Sequence, residues 1–116
     1  MNNWYRDPRF RTGEATSIAA DQAEREGHPD LARRLHDEAA EVFAELALSV
    51  PDDHPHTLSD LAIAATASFG CAGNYPRAVQ FARQLLAQRP CLTLRGRGEL
   101  TLMLAEYEPL VQPQGS

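Results

Sequence analysis

The sequence contains no lysine, only two cysteines and only six valine and isoleucine residues among its 116 positions. Two cysteines cannot form the disulfide scaffold of a small secreted domain. No apolar run approaches the roughly 18 residues of a membrane span, so we expect no membrane partner. The first ten residues, MNNWYRDPRF, lack the apolar core of a signal peptide, which favours a cytoplasmic location. The net charge of −5 argues against a nucleic-acid partner, because such domains generally carry a basic surface.

Alanine and leucine dominate the composition, with eighteen and fourteen residues respectively. Both are strong helix formers, whereas valine and isoleucine, which favour strands, are scarce. Hydrophobic residues make up 43% and charged residues 23% of the chain, an ordinary balance for a folded domain. We therefore predict a single all-α domain in which small alanine side chains let the helices pack closely.

Helical periodicity and helix-ending residues predict five helices. Thr12 is the expected N-cap of the first helix, and the fourth helix should end before Pro90. The run RGRGE is expected to be the loop that enters the fifth helix, with anion contact at that helix start as the alternative. An arm that interleaves aromatic side chains with arginine precedes the helices, and a flexible tail follows them. We expect the arm to pack its aromatic side chains on the first helices, with contact to a partner or another subunit as the alternative. The arm covers 1–12, the helices 13–26, 30–49, 57–71, 76–88 and 97–107, and the tail 109–116.

Two of the predicted turns repeat each other, with GHPDLA at 27–32 and GNYPRA at 73–78. In each turn a glycine permits a positive φ, and an alanine five positions later lets the second helix approach the first closely. The two glycines are 46 residues apart. An internal repeat of helix–turn–helix units is typical of stacked helical arrays, in which each pair packs on the next.

The second unit carries small, aromatic and turn residues at a recognisable spacing: Ala62, Ala65, Phe69, Gly73, Asn74, Tyr75, Ala78 and Pro90. This unit resembles the tetratricopeptide repeat (TPR) family, and the stretch PDDHPHTL at 51–58 is similar to the linker of its kinesin-light-chain type. The resemblance implies antiparallel helix pairs stacked as a short right-handed superhelix of about five helices. The TPR-like domain would span 13–108, with one repeat at 13–50, a second at 57–90 and a closing helix at 97–107.

In that family the first helix of each pair lines a concave groove, which holds an extended peptide or a partner helix. The resemblance therefore implies a non-catalytic module that binds another protein or a peptide between its first, third and fifth helices. The groove would be acidic at one end, apolar in the middle and basic at the other. Its implied lining residues are Glu14, Ser17, Asp21, Glu24, Asp60, Ile63, Ala67, Arg97, Thr101 and Leu104.

Two alternatives stay open. The first is a self-assembling structural module, a homo-oligomer in which the aromatic arm docks on another copy, because two repeats and one helix leave the array ends uncovered. The second and less favoured is a metal-binding protein or small enzyme that uses the DDHPH run from Asp52 to His56, since imidazole and carboxylate groups are metal ligands. We interpret that run as a rigid linker between helices.

The remaining reactive side chains are interpreted as structural or solvated. Cys71 and Cys91 are expected to be reduced, partly buried thiols, because neither belongs to a CxxC motif. His28 is expected in a turn and His36 on an exposed helix face. The sequence contains no nucleophile elbow and no glycine-rich phosphate loop, so we predict no catalytic residue, no metal site and no cofactor.

Overall fold

The computed structural model describes residues 4–111, and in that range the chain forms five α-helices and no strand. Short 3-10 turns precede and follow the helices, at Trp4–Arg6 and Glu108–Leu110. The prediction of an all-α fold with five helices is therefore confirmed. The helices are α1 (Pro8–Arg25), α2 (Pro29–Leu48), α3 (Pro55–Cys71), α4 (Tyr75–Gln88) and α5 (Leu94–Tyr107).

The helices pack mainly as neighbours along the chain, α1 on α2, α2 on α3, α3 on α4 and α4 on α5, and α3 also contacts α5. Polar contacts join α2 to α4: Asn74 Nδ2 donates to Asp37 Oδ1 (2.8 Å), and Arg77 Nε donates to Glu41 Oε1 (2.9 Å). We infer one layer formed by α1, α3 and α5 and a second formed by α2 and α4. The smallest dimension of the molecule, 21 Å, equals about two helix diameters.

The two glycine turns have the same geometry. Gly27 adopts φ +81° and Gly73 adopts φ +73°, a left-handed conformation that other residues rarely accept. In the first turn His28 N donates to Ala23 O (2.8 Å), and the second turn repeats this bond over the same spacing. This is the Schellman arrangement, which satisfies carbonyl groups at the end of a helix. The sequence repeat thus corresponds to a repeat of the backbone.

Large apolar side chains set among alanines form the core between the layers. Alanines from α1, α2, α3 and α4 are buried with them, which agrees with close packing through small side chains. α1 contributes little else, because its isoleucine, Ile18, is 63% exposed. The fully buried large side chains include Phe69, Phe81, Leu46, Leu58, Leu85 and Leu100.

α1 begins at Pro8, well before the predicted start at residue 13. Its N-cap is Asp7 and not Thr12: the Asp7 side chain accepts a hydrogen bond from Arg9 N (2.8 Å), and Pro8 occupies the first helical position. This pairing of an acidic cap with proline is favourable, because the first helical N–H has no partner within the helix. Most of the predicted arm is therefore the 3-10 turn and the first residues of α1.

α5 also begins earlier than predicted, at Leu94. The run RGRGE at 95–99 is helix and not a loop, and Thr93 is its N-cap, accepting from Gly96 N (2.9 Å). Two glycines lower helix propensity, which is why sequence reasoning placed the start later. Close contact with Ser59 of α3 requires a glycine at position 96, because a Cβ there would lie 2.5 Å from the Ser59 hydroxyl oxygen.

The described residues, 4–111, stop short of both ends of the chain. Residues 1–3 of the predicted arm and 112–116 of the predicted tail lie outside the described residues. The first residues of the tail belong to the 3-10 turn at Glu108–Leu110. Within residues 4–111, none of the helices combines the length and the apolar character that crossing a membrane requires.

Candidate functional site

An open cleft of about 370 Å³ lies between α1 and α3, and we call it the α1–α3 cleft. Phe43 of α2 lines it together with residues of the two flanking helices. Gly13 permits this arrangement, because a Cβ at that position would lie 2.7 Å from the Phe43 ring. Phe10 supports the ring from the side at a centroid distance of 6.2 Å. The lining residues are Glu14, Ser17, Ile18, Phe43, Ala64, Ala67 and Ser68.

A second, smaller cleft lies between α3 and α5, and we call it the α3–α5 cleft. Its base is tied together by Ser59, whose hydroxyl oxygen accepts a hydrogen bond from Thr93 N (3.0 Å) at the start of α5. Most of the residues that line it have polar side chains, and an arginine faces an aspartate across it. The lining residues are His56, Ser59, Asp60, Ile63, Thr93, Arg95 and Gly96.

The predicted groove residues of α1 and α3 lie on this side of the molecule. Three of them, Glu14, Ser17 and Ala67, line the α1–α3 cleft. Asp60 and Ile63 line the α3–α5 cleft. The structure therefore distributes the predicted apolar centre over two adjacent clefts.

Asp21 and Glu24 continue the line of Glu14 and Ser17 toward the C-terminal end of α1, and both are exposed. Cys71, at the C-terminal end of α3, is close enough to feel their charge. Burial, followed by the negative charges of Glu24 and Asp21, raises the pKa of the Cys71 thiol above its ordinary value. The predicted acidic end of the groove thus corresponds to an acidic surface at this end of α1.

The predicted residues of α5 do not all face the groove. Arg97 points to α4, where its guanidinium donates to Leu86 O (3.4 Å) and Arg89 O (3.3 Å). Thr101 is exposed and donates to the carbonyl of its own helix at Arg97 (2.7 Å), while Leu104 packs against the core. The prediction that Arg97 lines the groove is therefore wrong. Because α5 begins at Leu94 and not at residue 97, the sequence did not predict correctly which way the side chains of this helix point.

Arg95 is the basic residue that faces the α3–α5 cleft. Its side chain is 76% exposed, and its Nη1 lies 3.9 Å from Asp60 Oδ1. Exposed ion pairs at this distance are weak, so Arg95 remains accessible to an acidic group of a ligand. Sequence reasoning missed it because the run RGRGE was interpreted as a loop.

His36 is buried, which contradicts the expectation of an exposed, solvated side chain. It is 6% exposed, and its Nε2 lies 3.8 Å from Asp21 Oδ1 of α1. The signal for burial was present in the spacing: Ala32, His36 and Phe43 follow each other at i, i+4 and i+11 along one helix face. Ala32 and Phe43 are buried on that same face.

The run from Asp52 to His56 does not gather its side chains at one point. Asp52 accepts from Arg89 Nε (3.0 Å) and from Cys91 Sγ (3.3 Å) at the turn between α4 and α5. The His54 ring packs edge-on against Trp4 at a centroid distance of 6.5 Å. His56 instead lines the α3–α5 cleft. Asp52, Asp53 and His54 lie between α2 and α3, as expected for a linker, whereas Pro55 and His56 already belong to α3, which begins two residues before the predicted start.

At the other end of α3, Gly70 lies beneath the Tyr107 hydroxyl of α5, and a Cβ at Gly70 would collide with it. Tyr107 also stacks on Tyr75 with ring centroids 5.6 Å apart. Burial, assisted mainly by the negative charge of Glu106, raises the pKa of the Tyr107 hydroxyl. The closing helix is therefore docked at this end by an aromatic side chain placed on a glycine.

Comparison of the chain with protein-family models, with curated proteins and with solved structures finds no match.

Proposed function

We propose that this protein is a non-catalytic interaction module of the TPR-like kind, which binds a peptide or a partner helix along its α1–α3 and α3–α5 clefts. The single observation that carries the proposal is the α1–α3 cleft, which is open to solvent and has an aromatic side chain in its lining. Ile18 stands 63% exposed in its wall. A large aliphatic side chain exposed beside an aromatic one is a surface that loses free energy when a partner covers it.

The charges around the clefts support one kind of partner. Glu14 lies in the wall of the α1–α3 cleft, and Arg95 lies in the wall of the α3–α5 cleft. A segment with a basic side chain for Glu14, an apolar side chain for the space beside Phe43 and an acidic group for Arg95 fits this arrangement. Complementary charges of this kind contribute to specificity and association rate more than to affinity.

The proposed binding mode requires no cofactor and assigns no catalytic residue. A cytoplasmic location belongs to the same proposal. The likeness to the TPR family supports it through two features, the repeated glycine turns and the packing of helices in neighbouring pairs. Both are general properties of helical repeat arrays, whose extended concave surfaces are used for binding.

The experiment is a peptide-display selection on the immobilised protein, followed by mapping of a selected peptide by NMR amide shifts. We expect selected peptides to combine basic and apolar residues and to shift the amides of Ile18, Ala64 and Ala67. The variant Ile18→Glu should abolish binding, because it places a charge in the apolar wall without disturbing the core. The matched control is Leu102→Glu, which alters a 68% exposed leucine on α5 outside the residues that line the clefts.

Shifts confined to other surfaces, or equal binding by Ile18→Glu and wild type, would overturn the proposal. Both variants change an exposed side chain, so a difference between them reports on the cleft and not on folding. Circular dichroism of each variant checks that the helices are retained.

Self-association is the second candidate, and a specific observation favours it. Leu94 and Leu102 are 90% and 68% exposed on α5, the last helix of the array. The aromatic arm predicted for this role packs on its own chain, since Trp4 and Phe10 contact the core. Light scattering of wild type and Leu102→Glu tests this candidate: a dimer that dissociates in the variant supports it, and a monomer in both excludes it.

A further inference from the structure

Three ligating side chains from two helices meet at the C-terminal end of α1. Asp21 and Glu24 are three residues apart on α1, and His36 lies opposite them on α2. One nitrogen or oxygen atom from each residue lies within 4.8 Å of the corresponding atoms of the other two. We call this group the Asp–Glu–His cluster.

His36 is the unusual member of the cluster. Its side chain is only 7% exposed, and no side-chain hydrogen bond of its ring is found among the described residues. The distance of 3.8 Å from His36 Nε2 to Asp21 Oδ1 is too long for a hydrogen bond. A mostly buried imidazole directed at two carboxylates is an arrangement of three donors that a metal ion would complete.

The second helix pair shows that packing does not require these residues. A shift of 46 residues, the spacing of the two glycine turns, carries the cluster onto positions 67, 70 and 82. The occupants there are alanine, glycine and alanine, and the helices pack at these positions without charged groups. The same backbone frame thus carries three ligating side chains in the first pair and small apolar residues in the second.

We propose that Asp21, Glu24 and His36 bind a divalent first-row transition-metal ion such as Zn²⁺. Imidazole nitrogen favours these ions over Mg²⁺ and Ca²⁺, which prefer oxygen ligands, and carboxylate oxygens complete a common zinc ligand set. The inference is additional to the proposed interaction function and does not depend on it.

The geometry suits such an ion. Ligand bonds of about 2 Å require donor atoms closer together than the cluster holds them now. The Asp21 side chain is 58% exposed and free to rotate toward the buried imidazole. Three protein ligands leave at least one coordination position for water or for a donor from a bound partner.

The test uses the full chain without a polyhistidine tag, stripped with chelator and titrated with Zn²⁺ by calorimetry. We expect one ion per chain. Even outer-shell losses weaken metal affinity about 10–100-fold, so Asp21→Asn, Glu24→Gln and His36→Ala should each weaken binding at least about tenfold. Because Asp21→Asn and Glu24→Gln change exposed side chains, they keep the proposal testable if His36→Ala fails to fold.

Matched controls are His28→Ala and His56→Ala, which remove exposed histidines, and Cys71→Ser, which removes the nearby thiol. All three should bind Zn²⁺ as the wild type does. In the wild type the thermal midpoint should rise with Zn²⁺, because the ion binds only the folded arrangement of two helices.

Three results would overturn the proposal. One is the absence of stoichiometric binding, which would leave the contact between His36 and Asp21 without a metal. Another is binding that persists in both carboxylate variants, and the third is binding that is lost in Cys71→Ser instead. A peptide-binding measurement in chelator separates this outcome from that of the interaction function, because the clefts do not need the metal.

Discussion

The two helix pairs share one backbone plan and differ in what covers them. Each pair has a glycine turn with a positive φ and a buried alanine five residues later, Ala32 in one and Ala78 in the other. The first helix of the second pair, α3, is covered by α2, α4 and α5, whereas α1 packs mainly on α2. The glycine turn therefore determines how the two helices of a pair are joined, while the neighbouring helices determine which side chains stay available for binding.

The aromatic residues of the two pairs differ in how completely the surrounding helices bury them. Phe69 is completely buried beside Phe81, and the centroids of the two rings are 6.3 Å apart. The Arg77 guanidinium lies 5.1 Å from the centroid of the Phe69 ring. Phe43 is 6% exposed and borders the open α1–α3 cleft. One phenylalanine is completely enclosed, and the other is buried except for a small part of its surface beside the cleft.

The largest effect should come from truncating these rings. We expect Phe69→Ala to lower the free energy of unfolding by ~3–5 kcal/mol, because the cavity is enclosed. Phe43→Ala should cost less, because water enters the space that the ring leaves beside the cleft. Urea unfolding of both variants measures the difference. Equal costs would mean that the two pairs are equally enclosed, and Phe→Leu at each position keeps the comparison usable if Phe69→Ala does not fold.

A smaller effect should separate Gly70 from Glu24, which occupy equivalent positions in α3 and α1. Gly70→Ala places a methyl group against the Tyr107 hydroxyl, and overpacking of this kind costs ~1–3 kcal/mol. The better helix propensity of alanine offsets up to about 1 kcal/mol of that cost. Glu24→Ala changes an exposed side chain, so we expect a change within about 0.5 kcal/mol.

The control for this comparison is Gly70→Ala in a Tyr107→Ala background. With the tyrosine removed, the added methyl group meets no hydroxyl, and the substitution should become neutral or stabilising. A cost that persists in the double variant would show that the helix backbone, and not the contact with α5, requires glycine at this position. Thermal unfolding of the wild type, the two single variants and the double variant completes the cycle.

The smallest effect concerns how the pairs begin. The N-cap of α1 is Asp7, whose carboxylate accepts a hydrogen bond, whereas the N-cap of α3 is His54, which makes no side-chain cap hydrogen bond within the described structure. The side-chain hydrogen bond from Arg9, reinforced by the Arg9 backbone N–H, lowers the pKa of Asp7 below its ordinary value of 3.8.

Because the folded Asp7 carboxylate holds its charge at lower pH than the unfolded one, its stabilising effect is complete above pH 3.8 and disappears as the pH falls through the lower folded pKa. We expect Asp7→Asn to melt slightly below the wild type at neutral pH, with the gap closing in acid. Thermal unfolding between pH 2 and pH 7, with exposed Glu38→Gln as the control, measures it. A gap that is constant with pH would contradict the role of the charge.

Most of the fold could be predicted from local sequence. The alanine and leucine content, the glycines at positions 27 and 73 and the prolines at helix starts act within a few residues of chain, so five helices followed from them. The starts of α1 and α5 could not be placed in the same way. The sequence pattern predicts Thr12 as the N-cap of α1, whereas the structure has Asp7 there. A glycine is required at position 96 by the contact with Ser59, which is 37 residues away along the chain.

The residues of the candidate sites also separate into those that the sequence placed correctly and those that only the packing of the helices could place. The register implied by the family resemblance placed Glu14, Ser17 and Ala67 on helix faces that do line a cleft. It could not place Arg97, whose direction depends on where α5 begins and how it crosses α4.

Sequence patterns were sufficient for the helices and for the repeat of the turns, because backbone hydrogen bonds, glycine φ angles and proline caps are local interactions. Only the crossing of α1 and α2 brought His36 to Asp21 and Glu24, and only the packing of α2 beneath α1 and α3 placed Phe43 beside an open cleft. Those outcomes depend on distances between side chains far apart in the sequence, and such distances are set by how whole helix surfaces fit together.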